Sequence, residues 1–341
     1  MDVLSASPDQ PVLVQWLLDT RSLWPEATQT QQLKTVASRA LGVLLTDADR
    51  TSVLRYFHVR DAKMALASLL LKHLIVARCA GVCWERTRLT RNAHSKPVYR
   101  VPEGGTQPVA FNVSHQAGLV MLAAVYGGEK RHGVDVGGFF DVGVDVVSPG
   151  ERRGRDHQTI DAEGWGSFVD MHADVFATGE AECLKHEVLS VVSSSSLSSS
   201  LMLSPNMDLV DLKLRCFYTL WCLREAYVKM TGEALLAPWL GELEFRRFRP
   251  PPPVQSPPSD TTDLRQDAAA AVTTHDIRLR GHAVNDVNMC LQALGDDFMA
   301  CTAIRTPAEP AAAMGLVIGP FEVLDLQDML DFAERFREGK M

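Results

Sequence analysis

The sequence predicts an α+β fold in two halves, because helical and strand periodicities follow one another twice along its 341 residues. Apolar residues that recur every three or four positions indicate helices, and alternating apolar and polar residues indicate strands. The predicted helices are 29–42, 46–80, 163–189, 209–231 and 321–337. The predicted strands are 111–115, 119–126, 142–147, 275–279, 287–294 and 298–305. Each half therefore combines a long helix with a small sheet.

The first half is dominated by the helical pattern over 46–80, which Asp47 and Asp49 are suited to cap at its start. The apolar face of this helix consists of Val53, Phe57, Met64, Leu66, Leu69, Leu70 and Leu74. Short extended pieces follow at 84–91 and 97–101. Two apolar runs joined by a short turn then predict a pair of strands.

The second half opens on the strand at 142–147, which is apolar except for Asp145. Two stretches interrupt the later pattern, a serine run near 190–205 and a Pro-, Ser- and Asp-rich run near 249–272. Neither contains enough apolar surface to order itself, so both are expected to be disordered insertions. The expected division is 1–141, 142–306 and a tail, 307–341, that carries an amphipathic helix.

Composition excludes several classes of protein. A hydrophobic content of 46% and a charged content of 22% are typical of a soluble globular chain, and a net charge of −8 argues against a nucleic-acid binder. The longest apolar stretch is interrupted by Lys72, His73 and Arg78, so we expect no membrane span, and the first residues lack the charges of a secretory signal. Seven scattered cysteines predict free thiols in a cytoplasmic protein.

Trp221, Glu225 and Lys229 recur at i, i+4 and i+8, so they share one stripe of the helix predicted over 209–231. The residues around them are apolar, and a partly buried carboxylate needs a cation, a metal ion or hydrogen-bond donors to stay charged. The alternative is a purely structural salt bridge between Glu225 and Lys229. Other motifs have to decide between these two interpretations.

Three motifs precede this stripe: Lys96-Pro97, then Phe111-Asn112-Val113-Ser114-His115-Gln116, then Gly143-Val144-Asp145-Val146-Val147. In this order, and with the segment 221–229 after them, they resemble the phosphopantetheinyl transferases of the larger type. The segment 217–240 is especially similar to the fungal members of broad specificity. The resemblance extends from about residue 10 to about residue 305, and it implies two similar α+β subdomains related by a pseudo-twofold axis.

The resemblance implies transfer of the 4′-phosphopantetheine group of coenzyme A to a serine of apo carrier proteins, with release of 3′,5′-ADP. The carriers served by the family are those of fatty-acid, polyketide and nonribosomal-peptide synthases and of aminoadipate reductase. Mg²⁺ is expected on the pyrophosphate, where it takes one or two protein carboxylates. Asp145 and Glu225 match the family's metal ligands, and Gln116 is the third candidate. Glu225 is also the expected base, and Lys229 is expected to hold a phosphate oxygen.

The resemblance also carries over the residues that bind coenzyme A. They are Arg60, Lys63, Arg91, Lys96, Asn112, Ser114, His115 and Lys229. Arg60 and Lys63 are three residues apart on a helix, so both are able to point at one phosphate. Ser114 and His115 are not a hydrolase dyad, because neighbouring strand residues face opposite sides.

The sequence alone is compatible with some alternatives. Gly133-Val134-Asp135 repeats the pattern around Asp145 ten residues earlier, so Asp135 is a second candidate for the metal ligand. A non-catalytic module that binds coenzyme A or a nucleotide would keep the basic residues without needing Glu225 and Lys229. A metal-dependent hydrolase is a weaker rival, since no H-x-x-x-H motif is present. The expected partners are carrier proteins and coenzyme A, with no nucleic acid or membrane, and the protein is expected to be a monomer.

Overall fold

The computed structural model describes residues 10–128, 133–188, 208–233, 237–254 and 264–337. The chain divides into two compact units. Unit 1 comprises Met1–Val144 with Thr306–Met341, and unit 2 comprises Asp145–Arg305. The serine-rich insertion and the centre of the Pro-rich insertion, predicted to be disordered, lie outside the described residues.

Unit 1 packs its helices against one four-stranded sheet. The helical segments are Thr30–Gln32, Leu33–Val36, Ser38–Gly42, Asp47–Leu54, Val59–Ala80, Trp84–Arg86, Val136–Phe139, Pro310–Met314 and Leu326–Arg335. In order across the sheet, the strands are Glu322–Val323, Val12–Asp19, Leu119–Tyr126 and Val109–Gln116. The predicted strand pair is confirmed, with Val109–Gln116 antiparallel to Leu119–Tyr126. The strand Val12–Asp19 was not predicted, because its apolar run is short and has no regular alternation.

The predicted helix over 46–80 is wrong in one respect, since it is two helices, Asp47–Leu54 and Val59–Ala80. Thr46 is the cap of the first, because its side chain accepts the N–H of Asp49, and neither Asp47 nor Asp49 fills that position. Phe57 lies in the connection and is 90% exposed, so it does not belong to the predicted apolar face. The second helix ends at Gly81 in the left-handed conformation that glycine adopts without strain.

The last helix, Leu326–Arg335, is shorter than predicted because Asp325 caps it by accepting the N–H groups of Gln327 and Asp328. Ahead of it, the short strand Glu322–Val323 pairs in parallel with Val12–Asp19. The buried face of the helix consists of Leu326, Met329, Leu330, Phe332 and Ala333. These side chains join the main apolar cluster of unit 1, so the predicted tail is part of that unit.

Unit 2 surrounds its long helix, Leu209–Thr231, with two small sheets and shorter helices. The shorter helical segments are Pro149–Glu163, Trp165–Asp170, Thr178–Glu182, Cys183–Glu187, Leu240–Glu242 and Ala268–Ala270. One sheet has the order Val287–Leu294, Phe298–Arg305, Asp141–Val147, and the other has the order Leu243–Arg246, Asp276–Leu279, His282–Ala283. The strand Asp141–Val147 contains the boundary between the units, at Val144 and Asp145.

The single helix predicted over 163–189 is wrong, because the chain forms three shorter segments there and another helix, Pro149–Glu163, before them. Pro149 suits the first turn of that helix, and Gly164, with a φ of 84°, ends it. Its buried positions include only Asp156 and Ile160, so its sequence lacks the apolar stripe that would have indicated a helix.

All seven cysteines lie among the described residues and are free thiols. Over the ranges that the structure describes, none of the helices has both the length and the apolar character required to cross a membrane.

Candidate active site

The long helix of unit 2 presents the predicted stripe. It begins after Asp208, whose side chain accepts the N–H of Asp211, and it ends at Gly232 in the left-handed conformation. Over residues 214–230 every side chain is buried except those of Trp221, Glu225 and Lys229, which are half-buried. The helical periodicity of the sequence therefore identified the one stripe of this stretch that is partly open.

Asp145 lies on a strand whose next residues, Val146 and Val147, are also buried. Its side chain is 6% exposed, and the Nζ of Lys229 donates a hydrogen bond of 2.5 Å to its Oδ1. A buried carboxylate is costly unless it is paired, and this ion pair supplies the partner. The contact joins residues 84 positions apart in sequence.

Asp145, Glu225 and Lys229 form one electrostatic group. Burial raises the pKa of Glu225, and the nearby charge of Asp145 raises it further, while Lys229 opposes the shift. Burial lowers the pKa of Lys229, but Asp145 and Glu225 outweigh that effect, so the pKa is raised and the ammonium stays charged. The group thus contains two carboxylates that repel each other and one cation.

This donor set fits a divalent cation of the Mg²⁺ type, which takes one or two protein carboxylates and leaves its other positions to phosphate oxygens and water. The mutual repulsion of Asp145 and Glu225 is what such a cation would relieve. Cys222 is close to this group, with its Sγ 3.6 Å from the backbone oxygen of Asp145. Because burial raises the pKa of the Cys222 thiol far above its ordinary value, it is not a nucleophile.

The strand Val109–Gln116 of unit 1 carries the motif residues Asn112, Ser114, His115 and Gln116. Asn112, Ser114 and Gln116 share one face of the strand, because side chains alternate. Ser114 is buried and His115 is exposed, as expected for neighbours that face opposite sides. The Oδ1 of Asn112 accepts the N–H of Val144 at 3.1 Å and so holds the residue directly before Asp145.

Arg60 and Lys63 lie in the first two turns of the helix Val59–Ala80, but they differ in environment. Arg60 is exposed, whereas the Nζ of Lys63 donates to the backbone oxygen of Leu23 at 2.5 Å. Burial lowers the pKa of Lys63. One of the three N–H donors of Lys63 is thus used by the backbone, and the binding of one phosphate by both cations stays a prediction.

Arg91 and Lys96 lie on a two-stranded hairpin in which Arg91 pairs with Pro97. The guanidinium of Arg91 donates to the backbone oxygen of Ser95 at 2.6 Å, and the Nζ of Lys96 donates to that of Val142 at 3.1 Å. Burial lowers the pKa of Lys96 to about 8, against the opposing charge of Asp141. Lys96 therefore changes its charge close to physiological pH.

Arg91 also lines a cavity of about 350 Å³ in unit 1, together with Lys72, Arg88 and Asp49. Burial and the like charge of Arg91 lower the pKa of Lys72 to about 8, while Asp49 opposes the shift. Three cations and one carboxylate around a cavity favour a phosphate-sized anion. Lys72 and Arg88 were not predicted from the sequence, because they lie in a helix and a short extended piece with no motif around them.

The second candidate aspartate, Asp135, lies in unit 1 at the start of the short helix Val136–Phe139. Its carboxylate accepts the backbone N–H of Gln107 at 3.2 Å, and its backbone oxygen accepts that of Gly138. These bonds fix a turn. Asp145, by contrast, is bonded to the ammonium of Lys229.

A buried ion pair next to Glu225 was also not predicted from the sequence. Arg224 and Glu180 have side chains that are 2% and 0% exposed, and they are joined by a bond of 2.7 Å. The only hint of it in the sequence was that Arg224 lies in the apolar part of a helix, between Leu223 and Glu225. A buried arginine needs a partner, but its identity is not readable from the sequence.

Comparison with known proteins identifies the family. Residues 32–127 match the family described as 4′-phosphopantetheinyl transferase, N-terminal, and residues 141–284 match the 4′-phosphopantetheinyl transferase superfamily. The chain is 42% identical over 332 residues to 4′-phosphopantetheinyl transferase 1 of Fusarium mangiferae, covering 97% of this chain and 99% of that protein. It is 36% identical over 318 residues to 4′-phosphopantetheinyl transferase NpgA of Emericella nidulans, covering 88% and 84%.

A more distant relative is the L-aminoadipate-semialdehyde dehydrogenase-phosphopantetheinyl transferase of Schizosaccharomyces pombe, at 26% identity over 220 residues, covering 64% of this chain and 68% of that protein. Two α+β units with these sequence matches define a transferase fold. The chain belongs to the family of 4′-phosphopantetheinyl transferases, enzymes that transfer phosphopantetheine to carrier proteins.

Proposed function

We propose that Asp145, Glu225 and Lys229 carry the transfer of phosphopantetheine from coenzyme A to a carrier serine, with Mg²⁺ as cofactor and 3′,5′-ADP as the second product. The observation that carries the proposal is the half-buried stripe of Glu225 and Lys229 with Asp145 bonded to it. A structural salt bridge would not need a third charged group in a buried strand. Mg²⁺ bound by Asp145 and Glu225 would neutralise charge on the pyrophosphate.

The chain's own residues then have separate roles. Glu225 accepts the proton of the carrier serine as the serine oxygen forms its bond to the phosphorus of phosphopantetheine. The bond between that phosphorus and the bridging oxygen of the pyrophosphate breaks, and 3′,5′-ADP leaves with the bonding electrons. Lys229 donates to a phosphate oxygen and so stabilises the charge that develops on the leaving group. The nucleophile belongs to the carrier, so the enzyme needs none of its own.

Coenzyme A carries several phosphates, and unit 1 offers cations for them. We assign Arg60, Arg91 and Lys96 to phosphate binding, with His115 as a further donor and Asn112 and Ser114 along the nucleotide. Lys63 is assigned to phosphate binding as well, since the bond to the backbone of Leu23 uses only one of the three N–H donors of its ammonium. Gln116 remains the proposed third metal ligand, directly or through water.

The carriers proposed are those of fatty-acid, polyketide and nonribosomal-peptide synthases and of aminoadipate reductase. The name of one relative supports the last of these carriers, since it includes L-aminoadipate-semialdehyde dehydrogenase. We propose that the enzyme acts in the cytoplasm, where seven free thiols would stay reduced. We also propose that it acts as a monomer, because Asp145, Glu225 and Lys229 all come from one unit of one chain.

Chromatographic measurement of 3′,5′-ADP tests the proposal. The enzyme is incubated with coenzyme A and Mg²⁺, with or without an apo carrier protein. We expect 3′,5′-ADP only when the carrier is present, and none when its acceptor serine is replaced by alanine. Release without a carrier would support a hydrolase, and binding of coenzyme A without release in any mixture would support a non-catalytic module.

The pKa of Lys96 leads to a pH-dependent prediction. Because burial lowers that pKa to about 8, the ammonium is charged below pH 8 and neutral above it. Affinity for 3′,5′-ADP should therefore fall as the pH rises through this value, where an ordinary lysine would stay charged. Calorimetric titration on either side of that pH measures the effect. Lys96→Arg, which stays protonated, should reduce the decline to the part that Lys72 contributes, because the pKa of Lys72 is also lowered to about 8. An undiminished decline in Lys96→Arg would contradict the assignment.

Lys72 gives a second prediction, on the cavity that it shares with Arg88 and Arg91. Lys72→Met should raise the KM for coenzyme A about tenfold, because one charge-assisted hydrogen bond to a phosphate is lost. Kinetics with 3′-dephospho-coenzyme A show which phosphate the cavity holds. If the cavity holds the 3′-phosphate, Lys72→Met and the parent should have the same KM for this analogue. The exposed Lys34 of the same unit supplies the control, Lys34→Met. If Lys72→Met had the same KM for coenzyme A as the parent, the cavity would not be part of the coenzyme A site.

A further inference from the structure

Arg224 is buried in the long helix of unit 2, directly before Glu225. Its Nη1 donates to the Oε2 of Glu180 and to the backbone oxygen of Leu243, both at 2.7 Å. Its Nη2 donates to the backbone oxygen of Leu240 at 2.5 Å. With 2% of its side chain exposed, Arg224 cannot reach a substrate, so any role in the reaction has to act through its neighbours.

The carboxylate of Glu180 accepts hydrogen bonds from three separate segments of unit 2. Its Oε2 accepts from Arg224 and from the backbone N–H of Ala177 at 2.8 Å. Its Oε1 accepts the backbone N–H of Phe245 at 2.7 Å. Through this carboxylate the long helix is tied both to the helix Thr178–Glu182 and to the strand Leu243–Arg246.

Stability alone is a weak reason for such a pair. Two charges lose their hydration when they are buried, and apolar replacements of similar volume are often neutral or stabilising. Charge-assisted bonds are directional, however, and Arg224 forms three of them within the helical turn that contains Glu225. Bonds at one point of a helix oppose both its rotation and its sliding, whereas apolar contacts tolerate small shifts.

Glu225 and Lys229, one and five residues after Arg224, are the groups that need precise placement. Glu225 and Lys229 move with the helix, while Asp145 is carried by the strand Asp141–Val147. The Nζ of Lys229 and the Oδ1 of Asp145 are 2.5 Å apart, so a rotation or a slide of the helix would separate them. A misplacement of about 1 Å is enough to cost roughly a hundredfold in rate.

We propose that Arg224 and Glu180 are a positioning pair, which fixes the rotation and height of the long helix so that Glu225 and Lys229 stay aligned with Asp145. The inference rests on the proposed function, since it assigns the pair a role through those three residues. The pair contributes more to the turnover of bound substrates than to the binding of coenzyme A, which also depends on the cations assigned in unit 1.

The test is the double variant Arg224→Met with Glu180→Met, which removes both charges and leaves no buried charge unpaired. We expect a folded protein with a Tm well above the assay temperature, a kcat lowered at least tenfold, and a KM for coenzyme A within about twofold of the parent. A merely structural role would lower the Tm without changing the kcat of the folded fraction. Arg224→Lys keeps the charge beside Glu180 but loses the forked contacts, so it should recover part of the kcat.

Arg215 supplies the matched control on the same helix. It is also buried, and it donates to the backbone oxygens of Asp296 and Pro251 at 3.1 and 3.0 Å, nine residues before Arg224. Arg215→Met should lower the Tm and leave the kcat of the folded protein near that of the parent. A parental kcat in the folded double variant would overturn the inference, as would equal losses of kcat in Arg215→Met and the double variant.

If the double variant does not fold, Arg224→Lys decides the matter, because a parental kcat there would show that the forked contacts are not needed. Failure of the positioning role is distinct from failure of the proposed function. In the first case the parent enzyme modifies the carrier and the variants do so equally well. In the second case the parent itself yields no modified carrier.

Discussion

Glu225→Gln is expected to lower the rate of transfer by about a hundredfold or more, without unfolding the protein. An amide cannot accept the proton of the carrier serine, and general-base catalysis is typically worth about 10²–10⁴ in rate. Because burial raises the pKa of Glu225, the fold disfavours the charged carboxylate, and a neutral amide of the same shape should leave the Tm unchanged or raise it. Rate measurements and thermal melts of the same preparation check both parts.

Two aspartate variants and an assay at raised Mg²⁺ extend this experiment. Asp145→Ala should also abolish most transfer, whereas Asp135→Ala should behave almost like the parent, because the Asp135 carboxylate is bonded to the backbone of Gln107. Raised Mg²⁺ should partly restore a variant that has only lost a metal ligand. Full recovery of Glu225→Gln at high Mg²⁺ would leave that residue as a ligand and not a base. If Asp135→Ala were inactive and Asp145→Ala active, the metal ligand would be Asp135 and not Asp145.

Lys229→Met is the second substitution for which we expect a large effect. It removes the donor to the phosphate, a loss that we expect to cost about 10²–10³ in rate. It also leaves Asp145, whose side chain is 6% exposed, without the ammonium that donates to its Oδ1, so the Tm should fall. Lys213→Met is the control on the same helix, because the Nζ of Lys213 lies over the ring of Trp165, 5.6 Å from its centroid.

A double variant separates the two effects of Lys229→Met. In Asp145→Asn with Lys229→Met, the buried charge is removed together with its partner, so the Tm should return towards that of the parent. Transfer should stay low, since neither the phosphate donor nor the metal ligand is restored. If transfer recovered along with the Tm, Lys229 would be a structural partner of Asp145 and would have no part in the reaction.

Periodicity explains what the sequence could predict about the site. Side chains four residues apart on a helix share a face, so the stripe of Trp221, Glu225 and Lys229 followed from spacing alone. The strand around Asp145 followed from its apolar run. The contact between Asp145 and Lys229 did not follow, because it joins two elements 84 residues apart, and only tertiary packing brings them together.

Other features depend on the same kind of long-range contact. The ammonium of Lys63 is bonded to the backbone oxygen of Leu23, 40 residues away, which no helical spacing predicts. The helix Pro149–Glu163 was missed because its exposed faces are mostly polar, and its buried residues include an aspartate, Asp156, in place of an apolar side chain. That carboxylate accepts the hydroxyl of Tyr218, so its partner too is distant in sequence.

The intact mass of an apo carrier protein, measured after incubation with the enzyme, coenzyme A and Mg²⁺, tests the central claim most directly. The account predicts that the carrier gains the mass of one phosphopantetheine group with the parent enzyme and with Asp135→Ala. It predicts an unmodified carrier, over the same time, with Glu225→Gln, Asp145→Ala and Lys229→Met. A carrier modified to the same extent by these three variants as by the parent would contradict the assignment of the reaction to this group of residues.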